Sequence, residues 1–316
     1  MDRSKLSTII LDATIVAEKA AIVCYDWIGK GKEKLADQAA VTSMRTSLNQ
    51  MQISGTVVIG EGERDEAPML YIGEKVGLGG IKVDIALDPL EGTTICATAN
   101  ENSLAVIAFA TQGGFLHAPD VYMDKIAVGA GLPKDIVDLD NSPKTNLQNL
   151  AKAKKCKISD LQVMILQRNR HAEIIAKCRE AGARVKLISD GDIAAVIATT
   201  DAKTGIDIYM GTGGAPEGVL AAAALRTTGG QFMGRLIFND DKKQIARAKK
   251  MGIKDLNKKY TTEQLAKGDV LFIASGVTNG SMLEGIKKCD NHIFVNTLIM
   301  DSASKSVRKI SSNYLV

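Results

Sequence analysis

The sequence predicts a mixed α/β fold built in two halves, and three patterns carry that prediction. Apolar residues recur at steps of three and four through the first fifty positions. Ile81–Asp88 alternates apolar with polar, the mark of a half-buried strand. After about residue 140, short apolar runs alternate with helical segments, which implies a parallel sheet with right-handed crossovers. The change of pattern divides the chain into 1–140, an α+β half, and 141–316, an α/β half.

Taken in order, Leu6, Ile9, Ala13, Val16, Ala17, Ala20, Val23 and Trp27 form one stripe of a first helix, stopped by Gly29 and Gly31. A second helix runs from about 35 to 51 through Ala40, Met44 and Leu48, with Asp37 on its inward stripe. Gly55–Ile59 reads as a strand ending in Gly60-Glu61-Gly62-Glu63, and an amphipathic helix is expected over about 65–76. Pro89 should end the Ile81–Asp88 strand, since proline cannot donate to the ladder. Ser103–Ala110, 115–118 and 121–129 read as further strands. Beyond 140 the expected order is strand 161–166, helix 171–181, strand 184–188, helix 192–200, strand 206–210, a glycine loop and helix 217–226. Strand-like runs near 231–238, 270–275, 293–300 and 307–315 would complete or extend the sheets.

Composition excludes several functions. The 316 residues carry 40 Lys+Arg against 36 Asp+Glu, a net +4 that suits a small anionic substrate and is too weak for DNA or an acidic membrane. Aromatics at 4% leave few stacking platforms for single-stranded nucleic acid. Five scattered cysteines without a Cys-x-x-Cys pair, and three distant histidines, favour reduced thiols over a disulfide framework or a zinc site. A resident metal would then be held by carboxylates, which suits Mg²⁺ or Mn²⁺. No apolar run reaches the roughly 20 residues of a membrane span, and Asp2, Asp12, Glu18 and Lys19 interrupt the N-terminal run. A cytoplasmic location is therefore expected. Gly60-Glu61-Gly62 and Gly211-Thr212-Gly213 both begin a dinucleotide fingerprint and lack its third glycine, so a nicotinamide enzyme is a poor reading.

The segment richest in chemistry is Asp88-Pro89-Leu90-Glu91-Gly92-Thr93. Two carboxylates bracketing a rigid turn can share one hard cation, and amide groups at a following helix start can hold a phosphate. Taken alone the segment is also an ordinary turn. Asp37 is equally readable as a first-turn acid of its helix, Glu61 as an exposed turn residue, and Glu217 as a helix-start acid after Pro216. In the second half, loops Gln167–Arg170, Ser189–Asp192 and Gly211–Gly218 are expected along one sheet edge. They bring arginines beside aspartates, a pattern that fits a phosphorylated, polyhydroxylated ligand.

With these residues in view, the sequence resembles the lithium-sensitive, metal-dependent sugar and inositol phosphatases, and more closely the bacterial class II fructose-1,6-bisphosphatases. The supporting stretches are Ala36–Val41, Val58–Glu63, Asp65–Glu74, Ala118-Pro119-Asp120, Asp190-Gly191-Asp192 and Gly213–Gly218, so the likeness spans nearly the whole chain. The resemblance implies a layered α-β-α-β-α sugar-phosphatase fold, with a metal-binding phosphatase domain followed by a sugar-phosphate-binding domain. It implies hydrolysis of the 1-phosphate of fructose 1,6-bisphosphate in gluconeogenesis, and a cytoplasmic homo-oligomer. A sedoheptulose-1,7-bisphosphatase, or a sugar-phosphate-binding protein without turnover, are the alternatives.

Carried over motif by motif, Asp37 and Glu61 would bind one divalent ion, and Asp88, Glu91 and Glu217 a second, with Mn²⁺ or Mg²⁺ expected. Glu91, Gly92, Thr93, Tyr122, Arg168, Asn169, Arg170, Asp190, Gly191, Asp192 and Gly214 would contact substrate. Thr93 would relay a proton from the attacking water, with Asp37 orienting its hydroxyl. Two departures from the family pattern stand out: Lys30-Gly31-Lys32 replaces an Arg-Gly-Asp run, and Asn169 replaces a proline between the two arginines.

Overall fold

The computed structural model describes residues 4–62 and 69–315. The chain falls into two compact units, Met1–Leu116 with Ala266–Val316, and His117–Leu265. Among the described residues each unit is built on one mixed sheet, of eight and six strands, with helices packed on it. The mixed α/β class read from the sequence is the class observed. The contacts do not part near residue 140: the strand after His117 already belongs to the second sheet, and the last fifty residues return to the first. Which distant strands pair is not encoded in local pattern, so a sequence boundary drawn from a change of pattern misses the return.

The first unit opens with α1 (Ile10–Cys24) and α2 (Glu33–Leu48), followed by β1 (Ile53–Ile59), β2 (Lys75–Val76), β3 (Ile81–Glu91), α3 (Thr93–Ala97) and β4 (Leu104–Thr111). Val16, Ala17, Ala20 and Cys24 of the α1 stripe are buried against Ala40, Met44 and Leu48 of α2. Full burial of a Val, Leu or Ile side chain contributes about 1.5–3 kcal/mol. Gly29 and Gly31, at φ 72° and 62°, stop the first helical run as expected. The helix expected over 65–76 is absent from its described part: residues 69–74 form turns, and Lys75–Val76 pairs antiparallel with β1. Arg64, Asp65, Glu66 and the other residues of 63–68 lie outside the described residues.

The second unit contains β5 (Tyr122–Val128), α4 (Pro143–Lys154), β6 (Gln162–Leu166), α5 (Ala172–Glu180), β7 (Arg184–Ile188), α6 (Asp192–Ala198), β8 (Ile208–Gly214), α7 (Ala215–Thr228), β9 (Gln231–Ile237), α8 (Lys242–Lys250), β10 (Lys259–Thr261) and α9 (Thr262–Leu265). Strands β7, β6 and β8 are parallel, which the alternating pattern predicts. The expected glycine loop at 211–214 is instead strand, because β8 runs on through Gly214 and pairs antiparallel with β5. The chain then re-enters the first unit as β11 (Val270–Gly276), β12 (Lys287–Cys289), β13 (His292–Asp301) and β14 (Ser306–Leu315). Strand β11 lies between β4 and β13, so the C-terminal strands extend the sheet that carries β3. Among the described residues, no helix is long and apolar enough to cross a membrane.

Candidate active site

In the first unit the chemistry gathers at the end of β3. A regular strand places residues three apart on opposite faces. Asp88 pairs with Val106 and Glu91 with Leu104, so Pro89 and Leu90 together oppose a single β4 residue, Ala105. This β-bulge re-aims the chain. It brings carboxylate oxygens of Asp88 and Glu91 within 4.8 Å of each other. Pro89 is tolerated because a bulge position need not donate to the ladder. Thus the strand does not end at Pro89 as expected; it bulges there and continues to Glu91. The Leu90 amide donates to Asp88 Oδ1 at 3.1 Å, and the Ser103 hydroxyl donates to the Glu91 carbonyl at 3.0 Å. Gly92, at φ 77°, then turns the chain into α3, whose first residue is Thr93. Asp88 is half-buried and Glu91 is buried. Oxygen donors converging in a low-dielectric setting fit a hard divalent cation.

Asp37 lies in the second turn of α2, half-buried, and burial pushes its carboxyl above the usual carboxylate range. Desolvation raises the Cys24 thiol of α1, with further contributions from Cys96 and Asp37. Burial pushes the Cys96 thiol up to about 11. Glu61 follows β1 and is half-buried, its amide donating to the Leu70 carbonyl at 3.1 Å. Among the described residues, neither Asp37 nor Glu61 joins Asp88 and Glu91 in a group whose ligand atoms all lie within 4.8 Å.

In the second unit the three segments named from the sequence do meet. Arg168 pairs with Asp190 at 3.7 Å and donates to the Ser189 carbonyl. Burial raises the Asp190 carboxyl, and Asp192 adds to this, while the Gly191 amide and Arg168 oppose it. Arg170 donates through Nε and Nη2 to the Thr212 carbonyl at 3.1 and 2.8 Å, and its guanidinium lies 4.9 Å above the Tyr122 ring. Asn169 opens the 3₁₀ turn that joins the two arginines to α5. Gly191, at φ 86°, caps α6, and Asp192 opens it. Gly214 caps α7, where Glu217 occupies the first turn and folds its carboxylate back over the glycine; a Cβ on Gly214 would collide with it.

Two residues that sequence reasoning missed organise these segments. Lys125 of β5 is 1% exposed and forms an ion pair with Asp192, itself 6% exposed. A Cβ on Gly213 would collide with that pair, which explains a glycine inside a strand. The available signal is that Lys125 shares a strand face with Met123 and Ala127, two wholly buried residues. His171 is also buried; its Nδ1 lies 2.7 Å from the Leu166 carbonyl and its Nε2 accepts from the Thr212 amide at 2.8 Å. Those partners require the neutral tautomer with the proton on Nδ1. Burial lowers the ring's pKa below its ordinary 6.5, an effect larger than the opposing backbone bonds.

Residues 7–314 match the model of the family described as bacterial fructose-1,6-bisphosphatase, glpX-encoded. The chain belongs to that family. It is 43% identical over 330 residues to a D-fructose 1,6-bisphosphatase class 2/sedoheptulose 1,7-bisphosphatase of Synechococcus sp. (strain JA-3-3Ab), covering 96% of this chain and 95% of the relative. It is 45% identical over 311 residues to fructose-1,6-bisphosphatase 1 class 2 of Escherichia coli (strain K12), covering 94% and 92%. Among solved structures, an inositol monophosphatase from Anabaena (Nostoc) sp. PCC 7120 aligns over 61% of this chain and 72% of its own, at 18% identity and a TM-score of 0.32.

For this member of the bacterial fructose-1,6-bisphosphatase family, Lys125→Met should strand the buried Asp192 charge and cost about 3–5 kcal/mol of stability. Urea denaturation reads this directly, and a loss below about 1 kcal/mol would show that the pair does not hold the fold. Because the folded protein resists protonating His171, the unfolded chain takes up that proton first. Stability should therefore fall as pH drops from about 6.5 towards the lowered folded pKa. Melting temperatures between pH 7.5 and 5 should show this slope in the native chain and a shallower one in His171→Gln; equal slopes would remove the role.

Proposed function

We propose that this chain hydrolyses the 1-phosphate of fructose 1,6-bisphosphate to fructose 6-phosphate and phosphate, a gluconeogenic step, with Mn²⁺ or Mg²⁺ as cofactor. The observation that carries the reading is the bulge that sets Asp88 beside Glu91 at the start of α3, in a chain of the fructose-1,6-bisphosphatase family. The motif resemblance assigns Asp37 and Glu61 to one ion, and Asp88, Glu91 and Glu217 to another. A bound divalent ion supplies Lewis-acid polarisation of phosphoryl oxygen and eases deprotonation of water at neutral pH.

The chain's own groups supply the rest. Beside the reacting phosphate, the Thr93 hydroxyl at the start of α3 takes up a proton from the attacking water as it passes its own hydrogen on. Asp37 accepts that hydrogen and so orients the hydroxyl. Glu91, Gly92 and Thr93 contact the same phosphate. Arg168, Asn169, Arg170 and Tyr122 grip the far phosphate, and Asp190, Gly191, Asp192 and Gly214 receive the sugar hydroxyls. Arg170 is already held at two bonds to Thr212, so gripping the ligand costs little further ordering. Remote binding energy of this kind aligns the reacting end. Cytoplasmic residence and a homo-oligomeric state belong to the same reading and rest on the resemblance alone. Sedoheptulose 1,7-bisphosphate is the second substrate to weigh, since the Synechococcus relative carries both activities in its name.

Phosphate release from the two bisphosphates, with Mn²⁺, Mg²⁺ or chelator, tests the proposal. Turnover should require the cation; full activity in chelator contradicts the cofactor, and no release from either sugar favours a binding protein. Asp88→Asn should abolish cation-dependent turnover. Thr93→Ala should lower kcat by about 10²–10⁴ while leaving the melting temperature near native; near-normal turnover would remove Thr93 from the chemistry.

A further inference from the structure

Just past β1, the Glu61 amide is bonded to a residue held in an unfavourable conformation. Leu70, wholly buried, has φ 54°, the left-handed region that a leucine rarely enters. Such a residue persists only where its surroundings over-determine it, and such residues cluster at functional sites. Leu70 is gripped from both sides. Its carbonyl accepts from the Glu61 amide at 3.1 Å, and its own amide donates to Glu74 Oε2. A Cβ on Gly60 would collide with the same carbonyl, so the glycine lets the two segments close.

Glu74 is 5% exposed, and its second oxygen accepts from Arg45 Nε at 2.6 Å. Its backbone is fixed as well: its carbonyl accepts from Val57 of β1, and its amide donates to Tyr71, both at 2.9 Å. Arg45 belongs to α2, eight residues beyond Asp37 and so about 12 Å along the helix axis. One buried carboxylate thus joins the helix that carries Asp37 to Leu70, whose carbonyl holds the Glu61 amide.

We infer that Glu74, paired with Arg45, is a positioning residue for the cation held by Asp37 and Glu61. It keeps Leu70 left-handed and so fixes the backbone from which the Glu61 side chain projects. This rests on the reading of Asp37 and Glu61 as cation ligands. Partners one shell removed from a metal typically change its affinity by about 10–100-fold when altered.

The test is Mn²⁺ binding to the full chain, followed by the paramagnetic resonance of free Mn²⁺, together with the melting temperature of the metal-free protein. Glu74→Gln should weaken Mn²⁺ binding at least about tenfold and lower kcat at fixed Mn²⁺, with the KM for the sugar bisphosphate little changed. Arg45→Met, at a side chain 42% exposed, should weaken binding in the same direction and supports the inference even if Glu74→Gln does not fold. Unchanged Mn²⁺ affinity in Arg45→Met and in folded Glu74→Gln, with only the melting temperature lowered, overturns it. Glu61→Gln separates the two levels: native Mn²⁺ binding in that variant means the ligand reading itself has failed and the inference falls with it. A loss in Glu61→Gln without one in Glu74→Gln or Arg45→Met overturns the inference alone.

Discussion

Two carboxylates brought within 4.8 Å of each other inside an apolar sheet are an expensive arrangement, and the first unit is shaped around it. Burial penalises each charge, and proximity penalises their joint ionisation. A straight β3 would avoid the second cost by sending Asp88 and Glu91 to opposite faces. The bulge at Pro89-Leu90 removes that escape, and the Ser103 hydroxyl and Leu90 amide bond directly to it. A local geometry that opposes its own electrostatics is stable when a cation enters, since the ion's charge inverts the local balance. Binding of that kind adds to folding stability by mass action. The raised pKa of Asp37 follows the same logic: a desolvated acid gains most from a nearby positive charge.

The second unit meets a different constraint, that of fixing arginine side chains in place. Exposed guanidinium groups lose considerable rotamer freedom when they bind. Here Arg170 is fixed by Thr212 and by the Tyr122 ring, and Arg168 by Ser189 and Asp190. Beneath them, His171 ties the end of β6 to β8, and Lys125 ties β5 to the start of α6. Both are buried polar groups whose partners leave no good alternative conformation. The outcome is a set of loops that behave as part of the sheet. Three of the five thiols serve packing: Cys24, Cys96 and Cys178 are buried with raised pKa values, so they stay protonated and act as small hydrophobes.

How far the sequence could be read depended on the range of the interaction concerned. Helices α1 and α2 and strands β3, β6, β7 and β11 followed from periodicity, because each presents a continuous apolar face. The Asp88-to-Thr93 segment was legible as chemistry, yet Pro89 was read as a stop when it marks a bulge; proline is compatible with both, and only the register against Val106 and Leu104 distinguishes them. Gly211–Gly214 looked like a loop because its glycines make room for side chains from elsewhere in the chain: Gly211 for the His171 ring, Gly213 for the Lys125–Asp192 pair and Gly214 for Glu217. Lys125 and Glu74 were invisible for a related reason. A charged residue reads as solvent-facing until its partner, 67 residues off for Lys125 and 29 for Glu74, is known.

The same issue of range governs how the chain is assembled. The second unit, about 150 residues from His117 to Leu265, is inserted between β4 and β11, which pair side by side from Val270 against Ala110 to Gly276 against Leu104. Pairing those strands across an open chain would require closing a loop of that length. The entropic cost of closure grows only with the logarithm of length, but it still delays non-local pairing. A compact insertion whose ends emerge together shortens the effective loop. Phe115 and Ala266, at the two crossings, are bridged to each other, as are Gly114 and Lys267 through a backbone bond of 2.6 Å. The ends of the insertion are therefore held at a single point. The strand pairing that sets Asp88 beside Glu91 is thus made entirely within the first unit, and side-chain changes in the loops of the second leave it unaltered.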